Sequence, residues 1–467
     1  MTEEITTVSY LVASVLFVLA LKWMTSPATA RRGVHAGEVG MLAAVVGTLV
    51  KQEIVNYEWI VAALLVGSAI GVPMALFMPM TAMPQRIALS HAFGALAAAL
   101  VGTAEYYLAE PRIDRFTMGV LGIEVLLGFL TFTGSLMAFG KLQGLLPQRP
   151  IVGPAQNIGN LGLLGAALVL VVLLVLDPDK AVLFPFLIAA ALVFGVLLII
   201  PIGGADMPTV ISLLNSYAGL SGAALGFVLD NKVLIIAGAL DGASGFLLSL
   251  IMCRAMNRSF TNVLFGAFGR IEATSAGMAE AHPIHQGTPE DAAALLSTAR
   301  SVIIVPGYGM AVAQAQHKLQ ELAESLGRQG VEVRYAIHPV AGRMPGHMNV
   351  LLAEAKVPYE MLLDADEINP DFPRTDVVLV VGANDVVNPA AHHDPSSPIY
   401  GMPILEADKA RSVIVIKRSM APGFAGVENQ LFYLDKTTMV FGDARAVLSE
   451  IVAATVSAPW GGALPRA

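Results

Sequence analysis

Charge is scarce in this chain, and cysteine is nearly absent. Asp, Glu, Lys and Arg make up 14% of the 467 residues, against roughly 25% in a soluble domain, so the protein does not live wholly in water. The charges are also unevenly spread, thin up to about residue 250 and of ordinary density beyond it. That shift predicts a membrane domain followed by a soluble one. The single cysteine, Cys253, excludes an intramolecular disulfide. A net charge of −8 offers nothing to a polyanion, so nucleic acid is not an expected partner. No cleavable signal is expected either. Met1-Thr2-Glu3-Glu4 is acidic where a signal is basic, and no small-residue cleavage site follows the first apolar run.

What is abundant is apolar length: 55% of residues are hydrophobic and mean hydropathy is +0.67. A spanning helix needs roughly 20 apolar residues. Nine stretches qualify as candidates: 8–24, 36–51, 59–78, 86–108, 117–140, 157–176, 181–200, 209–229 and 232–252. Several are rich in Gly, Ala and Ser, which predicts close helix packing in a bundle surrounded by lipid. Lys22, Arg31, Arg32, Arg86, Lys141, Arg149, Arg254 and Arg258 fall on one side of these spans. Lys51, Arg112, Arg115, Lys180 and Lys232 fall on the other. The bias puts the C-terminal domain in the cytoplasm of an inner-membrane protein, and the odd count puts the N-terminus outside.

Residues 1–253 are therefore assigned to the membrane domain, 254–290 to a linker rich in small and polar residues, and 291–467 to the soluble domain. In the last, SVIIV (301–305), VEVRYAI (331–337), MLLDA (361–365), DVVLVV (376–381), SVIVIK (412–417) and LFYLD (431–435) are strand candidates. The segment MAVAQAQHKLQELAESLGRQG supplies a helix after the first. Continuous apolar strands alternating with helices predict a doubly wound parallel sheet. The expected fold is a polytopic α-helical membrane bundle followed by an α/β Rossmann-like domain.

Gly307, Tyr308, Gly309, Met310, Ala311 and Val312 follow a strand and open a helix. The first glycine suits a tight turn, and the second lets a pyrophosphate approach the backbone. Val312 stands where a third glycine is usual, and the motif also serves as a plain strand-to-helix turn. NAD-binding domains end the second strand in Asp or Glu for the ribose 2′-hydroxyl. Here that strand runs into His338-Pro339, which points to a 2′-phosphate held by cations. Lys417, Arg418 and Ser419, at the end of a later strand, supply charge and donors, although such a pair also suits a solvated loop. Gly382, Ala383, Asn384 and Asp385 form another loop at a carboxyl end, either facing a nicotinamide or making an ordinary turn.

The strings VPGYGMAVAQAQ, IHPVAGRMPGHMNVLLAEAKVPY, VGANDVVNPAA, KRSMAPGFAGVENQLF and FGDA resemble the NADP(H)-binding domain of proton-translocating nicotinamide nucleotide transhydrogenase. TFTGSLMAFGKLQG, GGADMPTVISLLNSYAGLSGAALGF and MCRAMNRSF resemble the same family's membrane beta subunit. The resemblance covers nearly the whole chain. It implies hydride transfer from NADH to NADP⁺ coupled to inward proton movement. NAD(H) is then held by an alpha subunit, in a homodimeric assembly of alpha-beta units, with no metal, flavin or haem. It also implies a reversed NADP(H), with the 2′-phosphate on Lys417, Arg418 and Ser419. Val340, Ala341, Gly342, Arg343, Met344 and Pro345, the loop with Gly423 and Phe424, and Asp443 with Ala444 would line the site. The family has Tyr where this chain has Phe424, so a hydroxyl is missing there.

Ionisable side chains in hydrocarbon are expensive and therefore functional candidates. His91 falls in the fourth span, Glu124 in the fifth and Asn215 in the eighth, with Asp206 in the loop just before it. A histidine titrates near neutral pH, though a buried imidazole bonded to a neighbouring helix is the plainer alternative. The resemblance implies that His91 and Asn215 form the proton pathway and that Asp206 couples the two domains. Glu124 is either a proton carrier or a helix-pairing acid. Glu105 and Glu110 read as interfacial. Two rival functions are a channel or transporter gated by a cytosolic NADP(H)-sensing domain, and a membrane NADPH dehydrogenase feeding quinones or haem. Neither a filter sequence nor a facing pair of axial histidines is evident.

Overall fold

The computed structural model describes residues 2–50, 56–109, 113–147, 150–151, 153, 156–265 and 283–457. Lys51, Glu110, Arg112, Arg149, residues 266–282 of the linker and Ala467 lie outside the described residues.

Each of the nine apolar stretches is a helix. In chain order these are α1 (Thr2–Met24), α2 (Pro27–Leu49), α3 (Tyr57–Phe77), α4 (Met83–Ala109), α5 (Arg115–Gln143), α6 (Gln156–Leu176), α7 (Leu183–Ile199), α8 (Met207–Val228) and α9 (Lys232–Ala255). Among the described residues, seven helices are long and apolar enough to cross a membrane. The other two are α7, with 17 residues, and α2, which includes Arg31, Arg32, His35 and Glu38. The centre of this half is α5, which packs against α4, α6, α7 and α8. It begins where the Asp114 carboxylate accepts the N–H groups of Phe116 and Thr117 at 2.9 and 3.2 Å, satisfying orphan donors of the first turn. It ends at Gly144, whose φ of +79° is the left-handed C-cap.

Small residues set how closely these helices approach. A Cβ on Gly245 of α9 would lie 2.7 Å from the Ser216 nitrogen and 2.8 Å from Asn215 Nδ2, both on α8. Gly219, Gly226 and Gly238 are at least as tight along the same seam, each meeting backbone of the other helix. The two backbones touch there because glycine leaves no side chain between them. Among the described residues, Lys141 stands apart from the other charges used to orient the spans, because it is buried. It is 1% exposed, and its ammonium donates to the carbonyls of Ile200 and Ile202 at 2.6 and 2.7 Å. It thereby tethers the end of α5 to the chain leaving α7.

A short α10 (Phe260–Phe265) precedes the second half. The strands there are β1 (His285–Gln286), β2 (Ser301–Pro306), β3 (Glu332–Ile337), β4 (Leu362–Asp364), β5 (Val377–Val381), β6 (Ser412–Lys417) and β7 (Thr437–Phe441). All pairings are parallel, in the order β1-β7-β6-β5-β2-β3-β4. Every residue of β5 is buried, as in a sheet covered on both faces. The helices are α11 (Pro289–Thr298), α12 (Tyr308–Val312), α13 (Gln316–Arg328), α14 (His347–Glu354), α15 (Ala365–Ile368), α16 (Ala390–His393) and α17 (Ala444–Ser457).

Three details differ from the sequence reading. LFYLD is a 3₁₀ turn over Gln430–Tyr433, not a strand; Asn429 Oδ1 accepts the Leu431 N–H at 2.9 Å and caps it. Leu431 and Phe432 still enter the core, which is why an apolar run alone misled. The strand is TTMVF, six residues on. The helix after β2 is two helices, broken at Gln314, whose φ is +50°. Finally, β1 pairs with β7, and Thr288 with Asp291 forms a capping box for α11, so residues 285–290 already belong to the sheet domain.

Candidate functional site

The sheet changes direction between β2 and β5. In open parallel sheets ligands bind outside the carboxyl ends at such a switch point. The loop after β2 and the loop after β5 meet there. Gly307 N–H donates to Val381 and Gly309 N–H to Gly382, both at 2.9 Å. A Cβ on Gly307 would collide with Ala383, and one on Gly309 would lie 2.7 Å from the Gly382 Cα. Gly382 itself has φ +66°, a left-handed conformation that favours glycine. The glycines thus let the two turns meet in backbone contact at the switch point. Met310 and Ala311 are buried beneath the turn, while Val312 is exposed.

Further segments converge on this crevice. Arg343 lies over the Tyr308 ring at 4.3 Å, a cation–π contact. The Phe424 ring is 5.8 Å from Tyr308. The Arg343 N–H donates to His347 Nδ1 at 3.0 Å, which orders the turn Val340–Pro345. Gly342, at φ +113°, permits that turn. Burial pushes His347 down to about 4, with help from Arg343, and burial likewise pushes His338 to about 4. Both are neutral imidazoles near pH 7. His338, standing where a ribose-binding acid is usual, turns inward and donates from Nε2 to Pro403 at 2.8 Å.

Asp385 lies under the loop that follows β6. Its carboxylate accepts the Ala425 N–H at 3.0 Å, and a side chain on Gly423 would collide with it. Burial raises its pKa, opposed by the Ala425 and Phe424 amides and by Lys417. Lys417, lowered by burial and partly restored by Asp385, donates to the Ala421 carbonyl and stands 5.4 Å above the Phe432 ring. Arg418 and Ser419 are exposed beside it, and Arg418 pairs with Asp443 at 3.2 Å. Ala444 begins α17 directly after, and is buried. The Asn384 backbone carbonyl accepts the Asn429 side-chain N–H at 3.0 Å, tying the turn after β5 to the segment before β7.

The membrane half has polar centres of its own. Asn215 Nδ2 donates to Asp241 Oδ1 at 3.0 Å. The His91 imidazole interacts with both, and its Nδ1 is buried without a partner. Three helices, α4, α8 and α9, thus bring one side chain each together. Asp241 was missed in the sequence reading, although an acid inside an apolar span was a visible signal. Glu124 is not part of this cluster. It faces Gly102, three turns of α4 away from His91, about 16 Å along the helix. It is fully buried, and Ser221 donates to it at 3.2 Å. Asp206 ends a 3₁₀ turn at the N-cap of α8, about 13 Å of helical rise from Asn215. Among the described residues, no group of three or more His, Cys, Asp or Glu is placed to hold a metal ion.

The chain is similar to known proteins over nearly its whole length. The profile of the NAD(P) transhydrogenase beta subunit matches residues 6–454. The NAD(P) transhydrogenase subunit beta of Rhodospirillum rubrum is 50% identical over 463 residues, covering 97% of this chain and all of the relative. The same protein from a named strain of that species matches to the same extent. A membrane bundle with polar centres and a parallel sheet with a glycine-lined switch point thus occur together in a chain that belongs to the NAD(P) transhydrogenase beta subunit family.

Proposed function

We propose that this chain binds NADP(H) at the β2/β5 crevice and exchanges hydride with NAD(H) on an alpha subunit, while its membrane half moves a proton inward. The observation that carries this reading is the meeting of the β2 and β5 turns at the switch point of the parallel sheet, where dinucleotides bind in open α/β sheets. Gly307, Gly309 and Gly382 allow it, because a Cβ on any of them would collide with the opposing turn. Lys417, Arg418 and Ser419 would hold the 2′-phosphate. Tyr308, Arg343 and Phe424 would cover the nucleotide, and Asp385 would clasp the covering loop. The nicotinamide ring, when bound, supplies the hydride chemistry; the chain orients it and excludes water.

Transfer between two nicotinamides that differ by one remote phosphate is nearly isoenergetic. A proton crossing 100 mV supplies about 2.3 kcal/mol, and about 1.4 kcal/mol changes an equilibrium tenfold. The membrane half therefore needs one titrating group whose state alters nucleotide affinity, by reciprocal linkage. His91, held with Asn215, is that group in this reading, and Asp206 relays its state. Residues 1–253 would form the translocating domain, and the sheet domain would face the cytoplasm, in a homodimer of alpha-beta units.

The test is His91→Asn in vesicles with the alpha partner. Proton pumping and reverse transhydrogenation should be lost, while NADPH binding to the sheet domain persists. Pumping at the wild-type rate would remove His91 from this role and leave Glu124 as the leading candidate.

A further inference from the structure

The polar cluster in the membrane half contains one more group than the proton reading uses. Asp241 lies ten residues into α9, and its Oδ1 takes the Asn215 amide N–H at 3.0 Å. Exposure is graded across the cluster. Asp241 is exposed on the chain's surface, Asn215 and His91 are half-buried, and His91 Nδ1 is fully enclosed with no partner. The amide packs where the α8/α9 seam is closed by glycine: a Cβ on Gly245 would lie 2.8 Å from Asn215 Nδ2 and crowd it.

An amide has a donor end and an acceptor end, and an ionised carboxylate can only accept. Asp241 thus settles which way the Asn215 amide points. One N–H of its NH₂ is committed to the carboxylate, which holds the Nδ2 end toward α9. The amide then meets the imidazole in one orientation, while the enclosed His91 Nδ1 has no partner. With an apolar group at residue 241 the amide could present either end to the imidazole.

We propose that Asp241 is a positioning residue for proton translocation, fixing the orientation in which the Asn215 amide meets the His91 imidazole. This rests on the reading of His91 and Asn215 as the proton path. It adds a third residue, which acts through the second.

The experiment uses full-length protein with its alpha partner in sealed vesicles, following proton uptake with an entrapped pH dye alongside coupled transhydrogenation. Asp241→Asn should slow the proton-coupled rate at least about tenfold, since a charge-assisted hydrogen bond is lost. Asp241→Glu should recover most of that rate. In an Asn215→Ala background, Asp241→Asn should cost nothing further, because the residue it acts through is gone. Asp241→Asn should still bind NADPH at full stoichiometry by calorimetry, which separates the effect from misfolding. Wild-type coupled rates in Asp241→Asn would overturn the proposal. So would a loss that Asp241→Glu shares and that persists undiminished without Asn215, because Asp241 would then act in helix packing. His91→Asn in the same assay distinguishes the underlying reading: if it pumps normally, the proton path fails as a whole.

Discussion

The Asp385 carboxylate receives the backbone N–H of Ala425 at 3.0 Å, so the loop after β6 is clasped to the loop after β5. Burial raises the Asp385 pKa despite that bond. The folded carboxyl therefore binds its proton more tightly than the unfolded one. Its contribution to stability is full below the ordinary carboxylate pKa and is lost as pH rises through the raised value. Asp385→Asn should remove this slope. Hydrogen exchange of peptides covering Gly423–Glu428, followed between about pH 4 and pH 7, should show a pH-dependent opening in the parent that is flatter in the variant.

Replacing Lys417 and Arg418 with Gln should weaken NADPH binding at least tenfold and leave any residual NADH affinity alone. Charge-assisted phosphate bonds contribute roughly 1.5–3 kcal/mol each. Titration calorimetry checks it. Unchanged NADPH affinity would place the 2′-phosphate elsewhere.

Gly382→Ala and Gly426→Ala separate strain from crowding. Both glycines have positive φ, +66° and +72°. An alanine carries a backbone cost there of roughly 1–2 kcal/mol. Only at Gly382 would the new Cβ also press on backbone, 2.6 Å from the Met310 nitrogen. Gly382→Ala should therefore lose NADPH binding and lower the thermal midpoint well beyond Gly426→Ala, in a thermal-shift assay with and without NADPH.

The α8/α9 seam makes a matching contrast in the membrane half. A Cβ on Gly238 would lie 2.6 Å from the Gly219 carbonyl and 2.8 Å from the Ala223 Cα, whereas Gly222 has nothing within 4 Å. Gly238→Ala should force the helices apart, lowering yield of folded protein in detergent and abolishing coupled activity. Gly222→Ala should be neutral or stabilising by up to about 1 kcal/mol, the helix-propensity gain.

Reporter fusions address topology. One after Ala467 should read cytoplasmic and one at the N-terminus external, if all nine helices cross. Since α7 has only 17 residues and α2 is polar, the two termini on one side would mean that one of these helices does not span.

The sequence by itself determined the helical membrane bundle, its nine helices and the parallel sheet that follows, and it named the segments that meet at the β2/β5 switch point. These rest on local signals that survive without coordinates: apolar run length, glycine spacing after a strand, and cations at a strand end. It failed where apolar content outlived its periodicity. LFYLD buries Leu431 and Phe432 as a strand would, yet Asn429 caps it into a 3₁₀ turn. Two-residue β1 has too little pattern to be seen at all, and exists because β7 offers it an edge. Only the tertiary structure decided partnership. Nothing local says that Lys141 leaves the surface to hold Ile200 and Ile202, or that Glu124 is turns away from His91. Nor does anything local pair Asn215 with Asp241, 26 residues apart in the chain. Such contacts depend on how closely two backbones approach, and at the α8/α9 seam that distance is set by glycines on both helices at once.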